Sequence, residues 1–438
     1  MLTTLKNAFK IKEIRQKILF TLGMLVVIRI GSQLPVPGVD TKFFSQWFAQ
    51  QTGGAFSFFD AITGGSFLNM SILALNINPY ITSSIIMQLL TIAIPKLEEM
   101  QRDGEDGRKK MVAITRYVTI ALALIQSTAM AIGFGRQGYL IEFNALNVIT
   151  AITALTAGSA FLMWVGERIT EKGIGNGISI VLVINIISRL PQDLSNLFEQ
   201  FVFGKAPATA ILAVVIIFAI IIAMVVLVII LNDAERRIPV QYSKKMQGRR
   251  MIGGQSTYIP LKVNTANVIP VIFASSIMSM PVMIAQFFHV DYSTIGGKIL
   301  LALSSSNWFK PEAPAYSIGL LVYIVLVVLF AYFYTSITFN PLEVANNMKK
   351  SGGFIPGIRP GKPTSDYLNN ILNYIVFIGA CGLVIVCIIP IIASGLFSVG
   401  NLSFGGTSLI IIAGVILETI KAVESLMLVR NYKGFLND

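Results

Sequence analysis

Residues 56–91 read FSFFDAITGGSFLNMSILALNINPYITSSIIMQLLT, and they decide what kind of fold the chain can have. The opening segment, Phe56-Ser57-Phe58-Phe59-Asp60-Ala61-Ile62-Thr63, is apolar enough to be buried. As a helix it would reach only about 12 Å, too short for a bilayer core that takes roughly 20 residues to cross. Gly64-Gly65 end it. After a linker, Asn76–Ile92 resumes as a helix with Pro79 in its first turn, where the missing N–H costs nothing. A half-helix followed by a full helix puts irregular backbone at membrane depth, which is tolerated only where protein buries it or water reaches it. The short segment is then either a re-entrant packing element or a movable stopper in a cavity.

The flanking sequence has the same character. Phe143–Gly166, Ala206–Asn232, Val263–Phe288 and Ala313–Leu342 contain no Asp, Glu, Lys or Arg, and Met111–Gly133 contains only Arg116. Each reads as one crossing. Gly173–Ser188, flanked by Lys172 and Arg189, is a shorter one. Tyr367–Leu417 runs 51 residues without a charge, about 76 Å as a straight helix. It must turn back, with Pro390, Ser394-Gly395 and Gly405-Gly406 as the turning signals. Ile18–Gln33 and Ala61–Pro95 bring the expected total to ten spans. No small-residue cleavage site follows the first apolar run, so that helix is expected to be retained.

Composition agrees. Of 438 residues, 54% are apolar and 13% charged, about half the charge of a soluble domain, and the mean hydropathy is +0.71. A disordered chain is excluded and a soluble enzyme disfavoured. The single histidine, His289, excludes a His-rich metal centre. Cys381 and Cys387 lie six apart on one helix, point apart and cannot bridge. No cofactor is expected, and no Walker loop for ATP hydrolysis is present.

The net charge of +12 is unevenly placed. With the N-terminus inside, 26 Lys and Arg fall on the cytoplasmic side and 6 outside. This asymmetry puts both termini in the cytoplasm. Residues 2–17 alternate apolar and basic side chains, as in a helix lying on the membrane surface. The loops 233–262 and 340–366 are long for a compact bundle. They carry Arg236-Arg237, Lys244-Lys245 and Arg249-Arg250 in one, Lys349-Lys350, Arg359 and Lys362 in the other. They read either as ordinary positive-inside charge or as a docking surface for a large acidic partner such as ribosomal RNA.

Ten spans divide into two sets of five. The second set starts from the opposite side, so any repeat between halves is inverted. The expected division is an N-terminal half 1–188 with the short segment at 56–66, an external hinge 189–205 and a C-terminal half 206–438. Asn76, Asn78, Gln88, Gln126, Asn176, Asn185 and Asn267 place amides inside spans, as a polar interior or as interhelix glue. No Asp or Glu sits near a span centre; Glu167, Glu418 and Glu424 lie toward the cytoplasmic ends. That weighs against an ion-coupled pump.

Five segments carry a resemblance to the SecY family, the central subunits of bacterial protein-conducting channels. They are Arg29–Ser32 with Pro35–Gly38, Asn78–Leu90, Gly173–Ser179, Ile269–Ser276 and Gly357–Gly361, in that order along the chain. The resemblance implies an all-α polytopic protein of ten transmembrane helices. Two inverted five-helix halves would form an hourglass channel with a short plug half-helix, in the bacterial cytoplasmic membrane. It implies an aliphatic ring at the waist: Ile77 and Ile81 on span 2, Ile178 and Leu182 on span 5, Ile272 on span 7 and Ile411 on span 10. A narrow apolar ring is poorly wetted and resists ion leakage, while aliphatic side chains let any polypeptide sequence slide past.

By the same resemblance, Phe56, Phe58, Phe59, Ile62, Gly64 and Gly65 belong to the plug. Gln88, Asn176 and Asn267 lie near a lateral gate between spans 2–3 and 7–8. Arg249, Arg250, Lys349, Lys350 and Arg359 dock the ribosome or the motor ATPase SecA. Small membrane subunits of the SecE and SecG type, signal peptides, nascent polypeptides and the lipid bilayer complete the implied partners. The function implied is a passive, non-enzymatic channel that passes unfolded secretory chains and releases membrane segments sideways into lipid. The alternative from composition and topology alone is an ion-coupled secondary transporter of a small solute, which shares inverted repeats and broken helices. An insertase for membrane proteins is a third job within the same family.

Overall fold

The long charge-free stretches are helical in a computed structural model of the chain, as they must be where backbone groups meet lipid and find partners only within a helix. The structure describes residues 9–50, 60, 63–203, 207–242, 245–247, 250–252, 256–287, 294–304, 307–308, 314–396 and 406–434. Its helices are α1 (Lys12–Gly31), α2 (Thr41–Gln50), α3 (Asn78–Ala93), α4 (Pro95–Arg102), α5 (Gly104–Arg136), α6 (Ala145–Lys172) and α7 (Gly177–Phe201). There follow α8 (Pro207–Asp233), α9 (Ile269–Phe287), α10 (Ile295–Leu303), α11 (Ile318–Thr338), α12 (Pro341–Lys350), α13 (Lys362–Leu396) and α14 (Gly406–Gly434).

Among the described residues six helices, α5, α6, α7, α8, α11 and α13, are by themselves long and apolar enough to cross a membrane. The other four expected spans, 1, 2, 7 and 10, each coincide with a helix: α1, α3, α9 and α14. At the end of span 2 the chain bends by 108° where α3 meets α4. Ile94 is extended there, as the residue before Pro95 prefers.

Several boundaries differ from the sequence expectation for local reasons. Of the surface helix expected over 2–17, residues 2–8 lie outside the described residues, and Lys12–Lys17 belong to α1, which runs unbroken into the span. The loop 94–110 is helical apart from Ile94 and Asp103, with Gly104 at φ +74° opening α5. The external hinge 189–205 is helical through Phe201, since α7 carries on past Pro191. Pro390 does not turn the chain: it lies inside α13, which runs on to Leu396, and α14 begins at Gly406.

The two long loops are folded together. β1 (Glu235–Tyr242) pairs antiparallel with β4 (Ser256–Lys262), and β5 (Gly353–Phe354) joins the other edge of β1. β2 (Lys245–Gln247) and β3 (Arg250–Ile252) pair with each other further along the same loop. Ile238 and Val240 face inward along β1 with Arg237 outward, the alternation a half-buried strand requires. They close over Met348, Ile355 and the α13 residues Leu368, Ile371 and Ile375. Among the described residues the strands are confined to these loops.

A central apolar cluster runs from Ile28 on α1 to Val415 on α14. A second, on the plug side, stacks Phe44, Phe67, Phe134 and Tyr139, with edge-on ring pairs 5.1 to 5.9 Å apart. The segment after α1 is stitched across it: Val36 N–H donates to Met70 O at 2.8 Å and Ile72 N–H to Leu34 O at 2.9 Å.

Candidate functional site

All six expected waist residues fall in the central cluster. Ile77, Ile81, Leu182 and Ile411 are buried within it, and Ile178 and Ile272 pack against it. Four spans contribute: α3, with Ile77 at its N-cap, and α7 from the first half, α9 and α14 from the second.

A backbone device occurs twice beside these residues. Asn76 and Asn267 both have φ +53°, a left-handed conformation that Asn tolerates better than other side chains with a Cβ. Each is followed three residues later by a proline, Pro79 or Pro270, and five later by a ring isoleucine, Ile81 or Ile272. Four residues before each, a carbonyl presses on a helix glycine. A Cβ on Gly158 of α6 would lie 2.0 Å from Ile72 O, and one on Gly379 of α13 would lie 2.3 Å from Val263 O. Each amide also faces the last helix of its own half. Asn185 Nδ2 on α7 donates to Asn76 Oδ1 at 3.0 Å, and a Cβ on Gly414 of α14 would sit 2.9 Å from Asn267 Oδ1. Leu182 precedes Asn185 by three residues, and Ile411 precedes Gly414 by three. The two halves therefore share a contact register that their sequences do not display. Its one visible signal was the repeated spacing Asn-x-x-Pro-x-Ile.

Of the plug, Phe56, Phe58, Phe59 and Ile62 lie outside the described residues; Asp60 and Thr63–Met70 are described. Asp60 is fully buried. Its Oδ1 accepts from Leu68 N–H at 2.8 Å, and its Oδ2 is paired with Arg189 Nη1. Gly64 and Gly65 have φ +68° and +83°. A Cβ on Gly64 would come within 2.5 Å of Asn185 O, so glycine is needed there for both conformation and space. Arg29 Nη1 donates to Gly64 O at 3.3 Å. Ser188 Oγ lies 3.3 Å from the same carbonyl but donates its proton at 2.6 Å to Asn185 O. Asp60, Arg29 and Arg189 were not among the expected site residues. A lone carboxylate in an apolar segment, with arginines near the ends of spans 1 and 5, was the available signal.

The three expected gate amides do not form one cluster. Asn176 caps α7, its Oδ1 accepting from Ile178 and Ser179 N–H at 3.1 and 3.4 Å; a Gly-Asn-Gly turn into a helix calls for such a cap. Asn267 Nδ2 reaches Glu418 on α14 at 3.5 Å, drawn there by its left-handed backbone. Gln88 is on α3, and its Oε1 has no partner among the described residues. α9 does pack against both α3 and α5, so spans 2, 3 and 7 form a seam. Glu167 is neutralised by Arg116 at 2.8 Å.

On the paired loops, Arg249 lies outside the described residues, and Arg250 begins β3. Lys349 and Lys350 are exposed in the last turn of α12. Arg359 is exposed between Gly357 and Gly361, both at positive φ. Arg237 stacks over the Tyr258 ring at 4.8 Å, and its hydrogen bond to Glu235 raises its guanidinium above the usual value. The surface is basic and shaped by hydrogen-bonded strands.

Comparisons with known proteins agree with this architecture. The family model described as SecY matches residues 71–420. The protein translocase subunit SecY of Streptomyces scabiei is 44% identical over all of both chains. Among solved structures, a protein-conducting channel superposes with a TM-score of 0.64 at 18% identity, covering 94% of this chain and 92% of the other. Sec61 in the canine ribosome–channel complex gives 0.60 at 17% over the same shares. With the family model covering most of the chain and a relative of that identity matching end to end, the chain belongs to the SecY family of multi-pass protein translocase subunits.

Proposed function

We propose that unfolded polypeptide crosses the membrane through the ring of Ile77, Ile81, Ile178, Leu182, Ile272 and Ile411, in a passive channel with no catalytic step. The observation that carries this is that all six fall in one central apolar cluster, four buried within it and two packed against it, with contributing spans from both halves. Side chains that make no directional bonds hold a translocating chain without regard to its sequence, and a ring too narrow to wet excludes ions. The seam of α9 with α3 and α5 is the side exit to lipid, opened when an apolar signal helix binds there and shifts the balance toward the open state. The charge asymmetry supports both termini in the cytoplasm of a bacterial cell, with the strand-paired loops facing inward. Arg250, Lys349, Lys350 and Arg359 there suit acidic surfaces of a ribosome or of a SecA-type motor. SecE- and SecG-type subunits are the expected companions on the lipid side.

The test is a disulfide crosslink. Cys381 and Cys387 are replaced by serine, a cysteine is placed at Ile77, and the reconstituted complex is stalled on a precursor carrying one cysteine in its mature part. A crosslink is expected. Transport without it overturns the ring placement, and failure to transport any precursor with active partners overturns the function.

A further inference from the structure

We propose that Arg189, with Arg29, is the positioning residue that holds the plug in its seat, through a buried ion pair to Asp60 that acts as a latch. This rests on the channel reading above and names its gate. Arg189 is on α7 and Arg29 on α1, while Asp60 and Gly64 belong to the plug segment, so the contacts tie the plug to two helices of the channel wall. Both oxygens of the Asp60 carboxylate are engaged: one accepts from Leu68 N–H in its own segment, the other forms the ion pair with Arg189. The Gly64 carbonyl takes Arg29.

The physics of a buried ion pair suits a gate better than a permanent joint. The attraction between the charges is largely offset by the loss of their hydration, so an intact pair adds little net stability. When the plug leaves, both charges enter the water of the outer funnel and are rehydrated. The latch therefore fixes where the plug sits without making its departure costly. Removing one partner has a different effect, because the charge left behind is unfavourable only in the closed state. The two removals are also unequal. Asp60 is 0% exposed and has no access to water when seated, whereas the Arg189 side chain is 18% exposed and can turn toward it. Loss of Arg189 is expected to open the channel more than loss of Asp60.

The experiment measures halide leak from vesicles containing the complete reconstituted complex without precursor, and precursor transport in the same vesicles. Arg189→Gln is expected to raise the resting leak at least tenfold, equivalent to about 1.4 kcal/mol on the closed–open balance. Asp60→Asn should raise it less. Arg189→Lys, which keeps the charge, should stay near wild type, and the exchanged pair Asp60→Arg with Arg189→Asp should recover most of the tightness. All variants should still transport precursor, which separates an unlatched plug from a misfolded channel. If Arg189→Gln does not assemble, the order of leak among Asp60→Asn, Arg189→Lys and wild type decides. Equal leak in Gln and Lys variants, or no leak in Asp60→Asn and Arg189→Gln alike, overturns the latch. Wild-type vesicles that hold halide but transport nothing would instead overturn the function.

Discussion

The breaks that open α3 and α9 begin from the same backbone and end in different surroundings. Asn76 is sealed: its side chain accepts from Asn185 at 3.0 Å and its backbone carbonyl from Ser159 at 3.1 Å. Asn267 is loosely held: its Oδ1 accepts nothing among the described residues, and its Nδ2 reaches Glu418 only at 3.5 Å, the outer limit of a useful hydrogen bond. The segment before Asn76 carries the plug, and the segment before Asn267 carries the basic hairpin. One repeated device thus serves a firm node on the plug side and a yielding one on the loop side. A gate worked by a partner on one face needs that inequality.

The largest expected effect comes from forcing a β-branched residue into the left-handed position. Asn76→Val should lower stability by about 3 kcal/mol, combining backbone strain with a lost buried acceptor. Asn267→Val should cost only the strain, ~1–2 kcal/mol. Unfolding midpoints of the purified complex test this, and equal losses would erase the contrast between the nodes. Next, Gly158→Ala and Gly379→Ala should each cost about 1–3 kcal/mol, since both added methyls meet a carbonyl at 2.0–2.3 Å. Damage at only one of them would break the contact register.

A third outcome sharpens the register. Val268 stands to Asn267 as Ile77 stands to Asn76, and it is buried in the same cluster. A cysteine at Val268 should crosslink to a stalled precursor, at lower yield than one at Ile77 because valine is the shorter side chain. The smallest effect is expected at Lys421–Asp233, whose side chains are 46% and 63% exposed. Lys421→Ala should change stability by less than about 1 kcal/mol. A loss as large as that at Asn76 would show that the loop-side node is held after all.

Much of this was legible in residues 56–91 alone. The Gly64-Gly65 pair, Pro79 in the first turn of the following helix and the charge-free runs on either side announced a broken span in a polytopic membrane protein; the restart expected at Asn76 falls at Asn78, because Asn76 is left-handed. Charge counting found the two basic loops but not that they pair, because a two-residue strand such as Gly353–Phe354 leaves no periodic signal. The plug seat was not legible either. Asp60 and Arg189 are 129 positions apart in the sequence, and only the packing of α7 under the plug brings them together. Helix ends were misplaced at Arg189, where a flanking charge was read as the end of a span, and at Pro390, which was read as a turn; both residues lie inside helices. Tertiary packing on neighbouring spans outweighs one missing hydrogen bond.

β4 ends at Lys262, and the next residue, Val263, carries the carbonyl pressed against Gly379. There is no slack between the outer hairpin and the node. β5 ties the Arg359 loop to the same sheet, and the sheet rests on α13, the helix that bears Gly379. A load applied at either basic loop therefore arrives at both sides of that one contact, as on the two handles of a pair of pliers whose pivot is a glycine.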